Sequence, residues 1–262
     1  MYMQDKKYPK SEVAYLVLAS SFAVLLVLTN IIGIKLFQAP AYSVTSSILF
    51  FIPQDANGFA LTTGILTYPL TFLITDVVSE IWGERRANFM VMIGFFMSVL
   101  MLGIVTLALV VPAHIYWVAP DNPFGYTNVE EYSNAFESVF SVNGKLLFGS
   151  MLAYMVAQLL DVKLYHFWRN LTKGKHLWLR NNGSTMISQL ADTAIVNSIL
   201  FYWGFGWEFW QGVTVMLTIY FYKLMIALID TPLIYLGVNI MKRLLIQWGE
   251  MDADGNIIHT QS

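Results

Sequence analysis

The chain has 262 residues, 56% of them hydrophobic and 12% charged, with a mean hydropathy of +0.56. A soluble domain carries roughly 25% charged residues, so a water-soluble globule is excluded and a polytopic membrane protein is implied. The formal net charge of -2 lies too near zero for a nucleic-acid surface, and the absence of cysteine excludes disulfides, thiol chemistry and cysteine metal sites.

After a polar, basic start (Lys6, Lys7, Lys10), an apolar run over 13–34 is long enough to span and too long for the core of a secretory signal. From Lys35 to Gly58 the chain is mixed and broken by Pro40, Pro53 and Asn57-Gly58; its apolar piece, Ile48 to Ile52, is too short to cross and reads as a re-entrant or surface segment. A second span is expected over 59–81 and a third over 89–111, closed by Pro112. Between Pro112 and Asn143 lie Asp121, Glu130, Glu131 and Glu137 with no Lys or Arg, which places this segment outside the membrane. Thr127 and Glu130 match a capping box there, and Val129, Tyr132, Phe136, Val139 and Phe140 recur at helical spacing. That amphipathic helix reads either as a lid over an entrance or as an interfacial helix.

A fourth span over 146–167 leads into Arg169, Lys173, Lys175 and Arg180, the densest basic block. A fifth is expected over 184–202, with the polar run Asn181 to Thr185 as its cap, and a sixth over 212–241, stopping at Lys242 and Arg243. The fold class is thus all-α, a single domain of six transmembrane helices with both termini cytoplasmic, because every basic block then falls on one side.

Polar residues inside these spans form a pattern. Asp76 and Glu80 lie on the second span, Gln158 and Asp161 on the fourth, Gln189 and Asp192 on the fifth, and Lys223 and Asp230 on the sixth. Each acid at a helix centre costs about 2.5–3.5 kcal/mol on insertion scales, so these side chains should face a shared cavity in which Lys223 neutralises one acid. The four-residue step from Asp76 to Glu80 puts both on one helix face, and Gln158-Leu-Leu-Asp161 repeats as Gln189-Leu-Ala-Asp192. A carboxylate accepts two hydrogen bonds in one plane and an amide both donates and accepts, so such a set can read the edge of a planar, nitrogen-rich heterocycle. Pro69 and Pro232 stand near the acids, where a proline can break a helix and free a carbonyl.

Tyr68 to Glu80, reading YPLTFLITDVVSE, followed by Gly83 and Ala87, resembles the signature of the queuosine precursor transporters, once described as vitamin-uptake proteins. Further matches are Leu28-Thr29-Asn30-Ile31 with Lys35, the Gln158/Asp161 pair, Leu177 to Asn181 leading to Ser184-Thr185, and Gln189 with Asp192-Thr193, so the likeness runs from the first span to the sixth. The resemblance implies uptake of a 7-deazaguanine (the cyano or aminomethyl base, or queuine) across a bacterial inner membrane for salvage into modified tRNA. It also implies a six-helix shape similar to the substrate-binding subunits of energy-coupling-factor importers, and no cofactor.

The expected site comprises Asp76, Glu80, Gln158, Asp161, Gln189 and Asp192, with Asn30, Phe72, Tyr154, Lys223 and Asp230 around them. The glutamines and at least one Asp are assigned to the base edge, and Asp76/Glu80 either to the ligand or to proton coupling. Phe72, Tyr154, Tyr165 and Tyr220 lie one turn from site candidates, where rings can stack on a flat base. Expected partners are a small-molecule deazaguanine and the lipid bilayer, with a homodimer or an energy-coupling partner left open. Ala19 and Ala23 on the first span form a small-xxx-small pattern that docks a partner or packs closely. The alternatives are a vitamin-type binding subunit working with an ATPase, and an intramembrane carboxylate enzyme. Against the enzyme, His114, His166, His176 and His259 fall at loops or span ends, and no zinc helix or Ser/His nucleophile pairing occurs.

Overall fold

The computed structural model describes residues 8–33, 35–39, 59–118, 125–140, 144–199, 202, 206–252 and 257–258. Ile48 to Ile52, expected as a re-entrant or surface piece, lies outside these residues, as do Lys6, Lys7, Asp121 and His259. Among the described residues the fold is built from seven α-helices: α1 (Lys10–Ile32), α2 (Tyr68–Trp82), α3 (Glu84–Val110), α4 (Val129–Phe140), α5 (Gly144–Leu171), α6 (Leu177–Asn197) and α7 (Phe209–Gln247). A single antiparallel ladder joins β1 (Leu36–Ala39) to β2 (Phe59–Thr62), with Leu36 opposite Thr62 and Ala39 opposite Phe59.

Several boundaries differ from expectation. The helix expected over 59–81 begins at Tyr68, because its first residues form β2 and a short 3-10 turn, Thr63–Leu66. Pro69 sets that start: it has no N–H to give and a φ already suited to the first helical turn, where no intrahelical donor is required. Pro232 does not break its helix, and α7 runs through it. The polar run Asn181 to Thr185 is not a cap either; α6 begins four residues earlier, and Asn182 sits inside it, donating to the Trp178 carbonyl and to Thr231 Oγ1, both at 2.9 Å.

The outer amphipathic helix is present as α4, but its cap is one residue on from the expected Thr127/Glu130 pair. Asn128 Oδ1 accepts from the Glu131 N–H at 2.9 Å, while Glu131 Oε2 accepts from the Thr127 N–H and hydroxyl at 3.0 Å each. The Thr127 N–H and hydroxyl hold the Glu131 carboxyl below its usual range. Trp117 packs edge-on against Tyr132 and Phe136, closing the aromatic side of α4.

The six longer or more central helices form a closed arrangement. Around it α1 packs on α3, α3 on α5, α5 on α6, α6 on α7, and α7 on α2, which returns to α1. Short α2 also touches α3 and α5 and so occupies the middle. Phe22, Leu26, Phe72, Val78, Met90, Val91 and Tyr154 form one apolar core between α1, α2, α3 and α5. A second, containing Val77, Ile81, Ile234, Val238 and Leu245, joins α2 to α7. Gly94 lets α3 approach α1: a Cβ there would stand 2.5 Å from Phe22 Cε1.

The basic blocks gather at one end. Glu250 accepts from the Lys10 and Ser11 N–H groups at 2.7 and 2.6 Å, capping the start of α1 from the far end of the chain. Glu12 forms a two-pronged pair with Arg86 at the α2–α3 turn, which Gly83 makes with φ +84°.

Among the described residues, three helical segments are long and apolar enough to cross a membrane: Lys10–Ile32, Glu84–Val110 and Ile219–Gln247. The rest explain themselves by inversion. On α6 the buried residues are Arg180, Asn181, Asn182, Ser184, Thr185, Ser188, Gln189, Asp192, Thr193 and Asn197, whereas Trp178, Met186, Ile187 and Leu190 are exposed. A helix polar inside and apolar outside is the reverse of a water-facing one, and it suits lipid around a polar interior.

Candidate functional site

The polar residues of α2, α5, α6 and α7 stack in layers along the interior, counted here from the basic end. In the first, Glu80 of α2 accepts from Arg180 Nη2 of α6 at 2.7 Å and from the Tyr165 hydroxyl of α5 at 2.9 Å. Arg180 Nε donates to that same hydroxyl at 3.2 Å and Nη1 to the Gly174 carbonyl at 2.8 Å. Lys242 of α7 stands 3.6 Å from Glu80. Every oxygen of this carboxylate has a donor.

One turn up α2, Asp76 faces Asp161 of α5, 2% and 0% exposed, with the two carboxyls within hydrogen-bonding reach of each other. Ser188 of α6 donates to Asp161 Oδ1 at 2.8 Å, but no other residue donates to Asp161 Oδ2 or Asp76 Oδ1. Neither acid forms an ion pair among the described residues.

Above them runs a hydroxyl and amide chain. Gln158 Nε2 donates to the Tyr154 hydroxyl and that hydroxyl to Thr71 Oγ1, both at 2.6 Å, while Thr75 donates to Gln158 Oε1 at 3.2 Å and to the Thr71 carbonyl at 2.6 Å. At the same height Lys223 of α7 pairs with Asp192 of α6 at 2.6 Å and lies 4.6 Å from the centre of the Tyr68 ring. Asp192 Oδ1, Gln189 Oε1 and the Tyr68 hydroxyl are buried close to one another with no well-aligned hydrogen bond.

A narrow cleft opens onto this zone between α2, α6 and α7. Phe72, Gln189, Lys223 and Asp230 line it together with Tyr68 and Thr185. The expected site residues therefore fall into groups. Phe72, Gln189, Lys223 and Asp230 reach the cleft, with Asp192 held at its wall by Lys223. Asp76, Gln158, Asp161 and Tyr154 are buried in the layers around it.

Two residues are placed elsewhere. Glu80 belongs to the Arg180 cluster, and Asn30 donates to Ser98 Oγ at 3.1 Å beside a separate cleft between α1, α3 and α5. Tyr220 donates to the Met186 carbonyl outside the cleft lining.

Tyr68 and Thr185 were not among the expected site residues. Each carries a signal at helical spacing, Tyr68 four before Phe72 and Thr185 four before Gln189. Arg180 reads from sequence as part of a topological block, and nothing there marks its burial. Among the described residues no group of three His, Asp or Glu is placed to hold a metal.

Among the buried polar atoms left without a partner, those of Asp76, Asp161, Gln189 and Asp192 are acceptors, while the hydroxyls of Tyr68, Ser79 and Thr193 can each donate; a buried acceptor without a donor costs about 1–3 kcal/mol.

Residues 62–237 match the family described as "Putative vitamin uptake transporter". A protein of Bacillus subtilis (strain 168) named "Probable queuosine precursor transporter" is 31% identical over 179 residues, covering 68% of this chain and 72% of the relative. The "Queuosine precursor transporter" of Escherichia coli (strain K12) is 26% identical over 216 residues, covering 80% and 87%. No solved structure matches. The chain accordingly belongs to this transporter family, which is not a family of enzymes.

Proposed function

We propose that this protein imports a queuosine precursor, a 7-deazaguanine base, and binds it in the cleft between α2, α6 and α7. The names carried by the relatives support the substrate class. The single observation that carries the site is the set of unpaired acceptors on Asp76, Asp161, Gln189 and Asp192 around a narrow cleft. A guanine-like edge presents ring N–H and amino donors that suit these acceptors, and a carboxylate takes two of them side by side. Phe72 and Tyr68 supply ring faces for a flat base.

In this reading α1, α2, α3, α5, α6 and α7 are six spans of a bacterial inner membrane, with both ends cytoplasmic. The shared location of Lys10, Arg86, Arg180, Lys242 and Glu250 at one end of the bundle supports it. The Glu80–Arg180–Tyr165 cluster then lies between the cleft and the cytoplasm and closes the exit, and Asp161 and Gln189 take the base edge.

The test is binding of 7-cyano-7-deazaguanine, 7-aminomethyl-7-deazaguanine, queuine and guanine to the purified protein by calorimetry. Saturable binding of at least one deazaguanine, tighter than guanine, is expected. Binding of none, or of guanine equally well, overturns the reading.

A further inference from the structure

We infer that Asp230 sets the charge class of the ligand, anchoring a protonated amine on the arm of the base so that cationic deazaguanines are preferred over neutral ones. This rests on the deazaguanine reading of the cleft given above.

The argument starts from the charges that meet there. Lys223 is the one cation lining the cleft among the described residues, and it is committed: its ammonium sits 2.6 Å from Asp192 Oδ2 and over the Tyr68 ring. That pair is neutral as a unit. Asp230 lies seven residues further along α7, on the same face as Lys223, lines the same cleft and forms no ion pair among the described residues. The other elements around the cleft offer no counter-charge. From α2 and the turn before it come Ile65, Tyr68, Pro69 and Phe72, and from α6 Thr185 and Gln189. Asp76, behind the cleft and near enough to interact with Asp230, brings no counter-charge either. A carboxylate of a membrane-spanning helix turned into a cleft without a cation is an open position for one.

The spacing fits the same ligand. Seven residues of helix rise about 10 Å, so the Lys223–Asp192 end and Asp230 are separated by the long dimension of a bicyclic base plus a one-carbon arm. The base edge meets Asp161 and Gln189 beside the Lys223–Asp192 pair, Phe72 and Tyr68 flank the ring, and the amine reaches Asp230. A nitrile in the amine's place brings no donor and no charge, and leaves Asp230 as it is in the empty cleft.

The experiment measures the affinities of 7-aminomethyl-7-deazaguanine and 7-cyano-7-deazaguanine for the purified full chain, and for Asp230→Asn and Asp230→Glu, by calorimetry. A charge-assisted hydrogen bond predicts that the wild type prefers the amine by about tenfold to a hundredfold. That ratio should collapse toward one in Asp230→Asn and persist in Asp230→Glu. The wild-type ratio tests the inference even if a variant does not fold. Equal binding of the two bases, a preference for the nitrile, or a preference undiminished in Asp230→Asn overturns it while leaving the deazaguanine reading intact. Failure of the wild type to bind either base defeats that reading, and the inference with it.

Discussion

Glu80 and Asp76 stand one helical turn apart on α2, both nearly buried, and their surroundings are opposite. Glu80 has a guanidinium, a phenol and an ammonium around it. Asp76 has another carboxylate opposite it and an oxygen to which no other residue donates. The first arrangement ties α2 to α5, α6 and α7 and is complete in the protein alone. The second is incomplete, and in a membrane interior water is not freely at hand to finish it. Evolution tolerates an unfinished polar layer where a ligand finishes it. In the function proposed above, the contrast separates an acid that holds the bundle together from acids that a ligand completes.

The most disruptive way to break this contrast is Arg180→Met. It leaves Glu80 the Tyr165 hydroxyl and, as a cation, only Lys242 at 3.6 Å, and leaving a buried charge uncompensated costs about 3–5 kcal/mol. Thermal unfolding in detergent should show a large fall; a loss under about 1 kcal/mol would mean that the cluster is not structural.

Next in size is the effect of filling the upper layers. A deazaguanine at a hundred times its dissociation constant should stabilise the fold by about 2.7 kcal/mol, seen as a concentration-dependent rise in Tm.

Asp161→Asn sharpens the comparison from the other side. Stability should move by less than about 1 kcal/mol, since Ser188 keeps an oxygen to bond and the unpaired carboxylate oxygen is gone, while uptake should fall at least about tenfold for want of a charge-assisted bond to the ligand. A stability loss like that of Arg180→Met would erase the distinction.

The smallest effect is expected for Glu12→Gln. The Glu12–Arg86 pair is a third exposed on each side, and such pairs contribute about 0–1 kcal/mol. A much larger loss in unfolding experiments would make the basic end as a whole, and not the Glu80 cluster in particular, the element that holds the helices.

Much of this was legible at the level of faces. The four-residue step of Asp76 and Glu80 and the paired Gln-x-x-Asp segments pointed to an interior polar zone, and all six side chains are buried. Lys223 does neutralise one acid, Asp192. Depth was not legible. A four-residue step turns a side chain by only about 40° but raises it about 6 Å, enough to carry Glu80 into the Arg180 layer and leave Asp76 with Asp161. Nor does spacing reveal that Arg180 turns inward from a basic block, or that Asn30 meets Ser98 on the far side of α1. Those facts depend on which neighbour each helix packs against. The early start of α6 was missed for a related reason: Asn181 to Thr185 have the composition of a cap, and only the partners they find in the bundle make them helix interior.

The inverted face of α6 also bears on how the protein is made. A segment whose centre holds Ser188, Gln189, Asp192 and Thr193 gains too little from lipid to leave the insertion machinery alone, whereas α1, α3 and the latter part of α7 are apolar enough to do so. In the six-span reading α6 waits beside α5 until α7 emerges, so that Lys223 meets Asp192 as the pair enters the bilayer. In that reading biogenesis depends on α6 meeting a helix that is made after it.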